Sequence, residues 1–201
     1  MANERSSGRR FDRDYGVTTQ AILFLTDLDA DAAGDAAIHA THYEPVPVAD
    51  FRALMACVPP DVIARSTFVD VGAGMGRGVL LASEYAFVQV AGVEVSPGLF
   101  EVARDNVAHS IPGTRRRCND IRILRDDARI WNYPPGDLVV FMYNPFDASA
   151  LRSTLGAILD RRNAGATWLL YHTPAERAVL DDDPDWEPLA EVRAGALWRR
   201  R

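Results

Sequence analysis

The stretch that decides the fold is Phe68–Gly78, "FVDVGAGMGRG". A short β-rich run, "TFVDV", leads straight into glycines at 72, 74, 76 and 78, and the apolar helix-like run "VLLASEYA" follows. A strand, a glycine turn and a helix in that order form the first half of a βαβ unit. Glycines let the backbone turn tightly and approach a ligand closely. In a doubly wound sheet such a turn lies at the carboxyl edge, where ligands bind. A dinucleotide fingerprint needs G-x-G-x-x-G, but that pattern would require glycine at Arg77 or Val79. The spacing is G-x-G-x-G, preceded by Asp70. A carboxylate there repels a phosphate and attracts a cation, so the loop is less suited to pyrophosphate.

Working outward, the alternation continues. "VQVAGVEV" reads as a second strand, and "SPGLFEVARDNVA" as a helix capped by Ser96 with Pro97 at its first position. "IRIL", "LVVFMY" and "TWLLYH" read as further strands, with the helix "SALRSTLGAILDRR" before the last. "WEPLAEV" and "ALWRRR" read as two closing strands joined by a tight turn at Ala194-Gly195. Upstream, "VADFRALMACVPP" places Val48, Phe51, Leu54, Met55 and Val58 on one helical stripe, which Pro59-Pro60 stops. "TTQAILFLTDL" (18–28) predicts a further helix, and "DLDADAAGDAA" a loop or weak helix. Residues 1 to about 14 are polar and are expected to fray. The expected architecture is α/β: a single-domain, doubly wound, mostly parallel seven-stranded sheet with an N-terminal helical lid. Residues 1–44 form the extension and 45–201 the domain.

Composition sets limits on function. The chain has 201 residues and net charge −6, which argues against a whole-surface nucleic-acid binder. All 22 basic residues are arginine. Schiff-base and P-loop lysine chemistry are therefore excluded. Arg115, Arg116, Arg117, Arg122, Arg125 and Arg129 crowd one segment, which is either a solvated edge or a patch for an anionic partner such as RNA. Cys57 and Cys118 have no metal-like spacing, no run is long enough to span a membrane, and the N-terminus lacks the apolar core of a secretory signal. A reduced, cytoplasmic chain without a metal is expected.

The acids complete the pattern. Glu94 ends the second strand, where a carboxylate can accept from both ribose hydroxyls. Asp127, after the third strand, is placed either to accept from an exocyclic amine such as adenine N6 or simply to solvate a loop beside Asp126. Together these describe a site for a nucleoside with a positively charged tail. Asn144-Pro145-Phe146 ends the fourth strand. Asn144 either holds the hydrogens of an acceptor amine or caps the following turn. Phe146 offers a flat wall.

On these residues the chain resembles a class I S-adenosylmethionine-dependent methyltransferase. "VDVGAGMGRG" is similar to the family's first motif, which implies cofactor contacts from Asp70, Gly72, Ala73, Gly74 and Gly76. Glu94 and Val95 in "GVEVSP" resemble its ribose-binding acid and neighbour, and Asp127-Ala128 its adenine-contacting pair. Asn144-Pro145-Phe146 occupies its fourth motif and implies a catalytic wall for the acceptor, with Asn144 also near the cofactor. Amino-methylating members carry Asn/Asp-Pro-Pro-Tyr/Phe; the single proline here departs from that pattern. "THYEPVP" resembles the tyrosine-bearing segment of small archaeal protein-lysine methyltransferases and, more loosely, of non-SET histone-lysine methyltransferases, so Tyr43 is expected at the acceptor channel. Val46 stands where a hydroxyl residue is usual. Tyr15-Gly16 is similar to a stretch leading small bacterial methyltransferases, which places Tyr15 at the cofactor. For both tyrosines ordinary packing is the alternative. The resemblance implies methyl transfer from S-adenosylmethionine to an amine of a protein side chain or small metabolite. The alternatives are an RNA acceptor or a non-catalytic binding module. The oligomeric state is left open.

Overall fold

A computed structural model describes residues 2–21, 23–24, 42–111 and 115–200. The expected "DLDADAAGDAA" segment lies outside them. The chain runs α1 (Ala2–Tyr15), β1 (Leu23–Phe24), β2 (His42–Tyr43), α2 (Val48–Met55), α3 (Pro60–Arg65), β3 (Thr67–Val71), α4 (Arg77–Ala82), β4 (Gln89–Glu94) and α5 (Pro97–His109). It continues with β5 (Ile121–Arg125), β6 (Gly136–Tyr143), α6 (Ala148–Leu159), β7 (Ala164–His172), α7 (Ala178–Asp181), β8 (Trp186–Val192) and β9 (Gly195–Arg200).

Seven strands form a mixed sheet in the order β5-β4-β3-β6-β7-β9-β8. The pairs β3–β4, β4–β5, β3–β6 and β6–β7 are parallel, and β9 pairs antiparallel with both β7 and β8. Side chains alternate across the sheet. Phe68, Val139, Phe141 and Leu170 pack with Phe51 and Leu54 of α2 and Leu80 of α4. Val69, Val71, Val140 and Met142 pack on the other face with Leu151, Leu155 and Ile158 of α6. This double covering explains why the central strands are apolar throughout rather than alternating. Strand order reverses between β3 and β6, so the connections leaving their carboxyl ends run in opposite directions and leave a crevice.

The N-terminal region differs from its sequence reading. Residues 2–15 are helical rather than frayed, because Phe11 is buried and stacks on Tyr15 at 4.2 Å. Residues 17–21 are not helical, contrary to the helix expected over 18–28, and residues 25–41 lie outside the described range. Side chains take the backbone groups that a helix would need. Asp12 accepts from Thr19 N (2.9 Å) and Gln20 N (2.8 Å), and Asn106 accepts from Thr18 N (3.0 Å) while donating to Thr18 O (2.8 Å). Residues 23–24 pair instead with 42–43. Pro59-Pro60 ends α2 as expected, but Pro60 also opens α3, where its missing N–H costs nothing. The closing turn is Arg193-Ala194, and Gly195 is already in β9.

Candidate functional site

The crevice is a cleft of about 270 Å³ at the carboxyl ends of β3, β4, β5, β6 and β7. Of the expected site residues, it brings together Tyr43, Asp70, Gly72, Ala73, Gly74, Glu94, Val95, Asp127, Ala128, Asn144, Pro145 and Phe146. Gly76 and Tyr15 are not among its lining. Gly76 caps α4 with φ +85° and abuts Ala103. Tyr15 packs on Phe11 and donates to Glu84, so its expected place at the cofactor is corrected to a role in anchoring α1.

Two glycines bind the loop to its neighbours. Gly74 has φ +55°, and a Cβ there would collide with the edge of the Tyr43 ring at Cε2 and Cδ2. Gly72 has φ +74°, and its Cβ would meet Pro145 at 3.2 Å, so the first and fourth motifs touch. Tyr43 closes over this loop, with its hydroxyl donating to Thr19 O at 2.8 Å, and burial raises its pKa.

The acids form the electrostatic centre. Glu94 is 6% exposed, and its two carboxylate oxygens accept from Gly74 N and Ser96 N, each at 2.8 Å. Burial pushes its pKa up and these backbone donors pull it down. Asp70 is 4% exposed. Burial, and then repulsion from Glu94, raise its pKa to about 7, partly offset by the Val79 N–H. A buried acid pair of this kind is stabilised by any ligand that brings positive charge.

Other predicted residues have defined partners. Asp127 accepts from Arg129 Nη2 (2.7 Å) and Nε, so both oxygens of the expected adenine acid are already engaged. Asn144 has φ +42°, and its Oδ1 accepts from the Tyr171 hydroxyl at 3.1 Å. The helix cap after it is Asp147, which accepts from Ala150 N at 2.9 Å. In the arginine segment, Arg116 donates to Ser110, Arg122 to Asp120 and Arg129 to Asp127.

Sequence reasoning missed several cleft residues. Arg77, only 3% exposed, lines the cleft and donates to Thr19 Oγ1 (2.8 Å), Gln20 Oε1 (3.1 Å), Asp12 Oδ1 (3.3 Å) and Val46 O (3.5 Å). Glu44, Tyr143 and Thr173 also line it, and Tyr143 donates to Glu44 at 3.2 Å. The signal was available for Tyr143 and Thr173. Both stand at carboxyl ends of central strands, where ligand-contacting residues gather.

No protein-family model matches the sequence, and the comparison with curated proteins found no match. Solved structures do match. A protein from Haemophilus influenzae named as a methylase, HI0767, superposes with a TM-score of 0.54 at 14% identity, over 76% of this chain and 95% of that one. The Escherichia coli protein yhhF, named as a methyltransferase, gives 0.53 at 18% identity over 74% and 80%. The 23S rRNA methyltransferase ErmE gives 0.52 at 14% identity over 76% and 67%. The chain therefore has the class I S-adenosylmethionine-dependent methyltransferase fold.

Proposed function

We propose that the chain is an S-adenosylmethionine-dependent methyltransferase that methylates an amine nitrogen of a protein side chain or small metabolite. The observation that carries this reading is the Glu94–Asp70 pair beneath the glycine loop. A carboxylate has about four lone-pair sites. Glu94 commits one from each oxygen to Gly74 N and Ser96 N, which leaves room for two ribose hydroxyls. Asp70, buried beside it, suits a positively charged tail rather than a phosphate. Ala128 and Val95 offer apolar edges to a base, and Asp127, held by Arg129, remains the candidate for its amine. In this reading residues 1–44 act as a lid through Tyr43, and 45–201 form the catalytic domain.

The cofactor, when bound, supplies a methyl group on a sulfonium whose leaving group needs no protonation. The chain must hold the acceptor in line and keep water out. Correct placement of two reactants contributes up to about 7–11 kcal/mol. Pro145, packed against Gly72, fixes the wall between the two substrates, and Phe146 borders the acceptor side. Tyr171 holds the Asn144 side-chain oxygen, which orients the amide at the strand end.

Incubation with labelled S-adenosylmethionine and a cell lysate, then separation into protein, RNA and small molecules, tests the acceptor. Label in protein or small amines is expected. Label confined to RNA with steep salt dependence replaces the amine reading by the RNA one. Cofactor binding with no label in any fraction favours a binding module.

A further inference from the structure

Asp50, His172 and Thr173 form one hydrogen-bonded chain that ends in the cleft. His172, 4% exposed at the end of β7, donates from Nε2 to Asp50 Oδ2 of α2 at 3.2 Å. Its Nδ1 lies 2.9 Å from Thr173 Oγ1, and Thr173 lines the cleft. A carboxylate only accepts, so it fixes the imidazole proton on Nε2. Nδ1 of the neutral ring then carries a lone pair, and the Thr173 hydroxyl donates to it. The remaining lone pairs of Oγ1 are the accepting surface presented to the cleft.

The backbone at Thr173 supports a functional reading. Its φ is +47°, a left-handed conformation that a β-branched residue rarely adopts. The neighbouring strand ends the same way: Tyr143 pairs with His172, and Asn144, the next residue, has φ +42°. Two adjacent non-glycine residues in this conformation, both lining one cleft, match the clustering of strain at sites of chemistry. The groups facing His172 are Asp50 from α2, Glu44 from the preceding loop, the Tyr143 ring from β6 at 4.2 Å, and the uncharged Gly195 from β9. Burial lowers the His172 pKa, against the opposing pull of Asp50 and Glu44, which favours the neutral ring.

We infer that Asp50, His172 and Thr173 form a proton relay that deprotonates a cationic amine acceptor in the cleft. The inference rests on the methyltransferase reading. An R–NH3+ acceptor gives a proton to Thr173 Oγ1 as the Thr173 proton moves to His172 Nδ1. The freed nitrogen lone pair forms the N–CH3 bond while the C–S bond breaks and its electrons stay on sulfur. The products are a neutral thioether, R–NH2+–CH3, and one proton on His172, whose charge Asp50 balances until it leaves to solvent. Glu44 at the cleft adds negative charge that favours a cationic acceptor over an anionic one.

The test uses the full chain and labelled-methyl incorporation into cell lysate from pH 6 to pH 10, with and without acetylation of lysate amines. Calorimetric binding of S-adenosylhomocysteine and imidazole nitrogen NMR accompany it. Acetylation is expected to abolish incorporation. Thr173→Val should lower the rate at pH 7 about 100-fold and approach wild type near pH 10, where a free amine of ordinary pKa about 10.4 needs no base. Thr173→Ser should restore the neutral-pH rate, and both variants should bind S-adenosylhomocysteine as wild type does. NMR should place the His172 proton on Nε2. Incorporation insensitive to acetylation, a Thr173→Val loss uniform across pH, a proton on Nδ1, or S-adenosylhomocysteine binding with no incorporation would each overturn the relay. Failure of wild type to bind S-adenosylhomocysteine would instead overturn the methyltransferase reading.

Discussion

Replacing Asp70 by asparagine should stabilise the unliganded protein, and by an amount that depends on pH. Asp70 has a folded pKa of about 7 against its ordinary 3.8. A raised carboxylate pKa means that the folded state binds the proton more tightly than the unfolded chain. The stabilising contribution is therefore complete below about pH 4, falls as pH rises, and is gone above about pH 7. At 1.36 kcal/mol per unit, the total is about 4 kcal/mol, of which about 3 kcal/mol falls between pH 5 and pH 8. Asparagine keeps an acceptor for the Val79 N–H and does not titrate. Urea unfolding of both proteins at pH 5 and pH 8 should show Asp70→Asn gaining about 3 kcal/mol on wild type between the two. A stability gap that does not change with pH, or a variant weaker at pH 8, would refute the electrostatic account of the acid pair. Stabilisation at the expense of cation binding is the expected trade-off at such a site.

Other outcomes follow from single contacts. Gly74→Ala should lose about 1–2 kcal/mol from the left-handed backbone alone and weaken S-adenosylhomocysteine binding by displacing Tyr43, read by calorimetry. Arg77→Met should cost about 1–3 kcal/mol by removing the donor shared by Thr19, Gln20, Asp12 and Val46, and limited proteolysis should then cut within residues 7–21. Asp147→Ala should cost about 1 kcal/mol as a lost helix cap, measured by thermal unfolding. Asn144→Ala should leave α6 intact and reduce methyl incorporation instead. Unchanged proteolysis in Arg77→Met, or equal stability losses at 144 and 147, would contradict these assignments.

The central βαβ rhythm was legible because burial on both faces leaves continuous apolar runs, and Ser96-Pro97 marks a helix start with backbone-level chemistry. The glycine loop and Glu94 were legible for the same reason: backbone shape and a strand-end acid are local properties. The N-terminal strap was not. Thr18, Thr19 and Gln20 open the segment expected as a helix over 18–28, yet their hydrogen bonds go to the Asp12 side chain and to Asn106, 88 residues away. Arg77 was legible only as an interruption of a dinucleotide pattern. Nothing local distinguishes a buried arginine with four partners from one on the surface. Asp127 and Arg129 form an ion pair that the motif resemblance does not announce. Thr173 was legible only through its place at a strand's carboxyl end, since neither its left-handed φ nor the Asp50–His172 contact, 122 residues apart, is written in periodicity.

The most direct test of the central claim is titration calorimetry with S-adenosylhomocysteine. Wild type should bind one equivalent, and Asp70→Ala and Glu94→Arg, each shown to be folded, should bind none. A folded wild-type protein that gives no heat, or a Glu94→Arg variant that binds as wild type does, would contradict the assignment of this cleft.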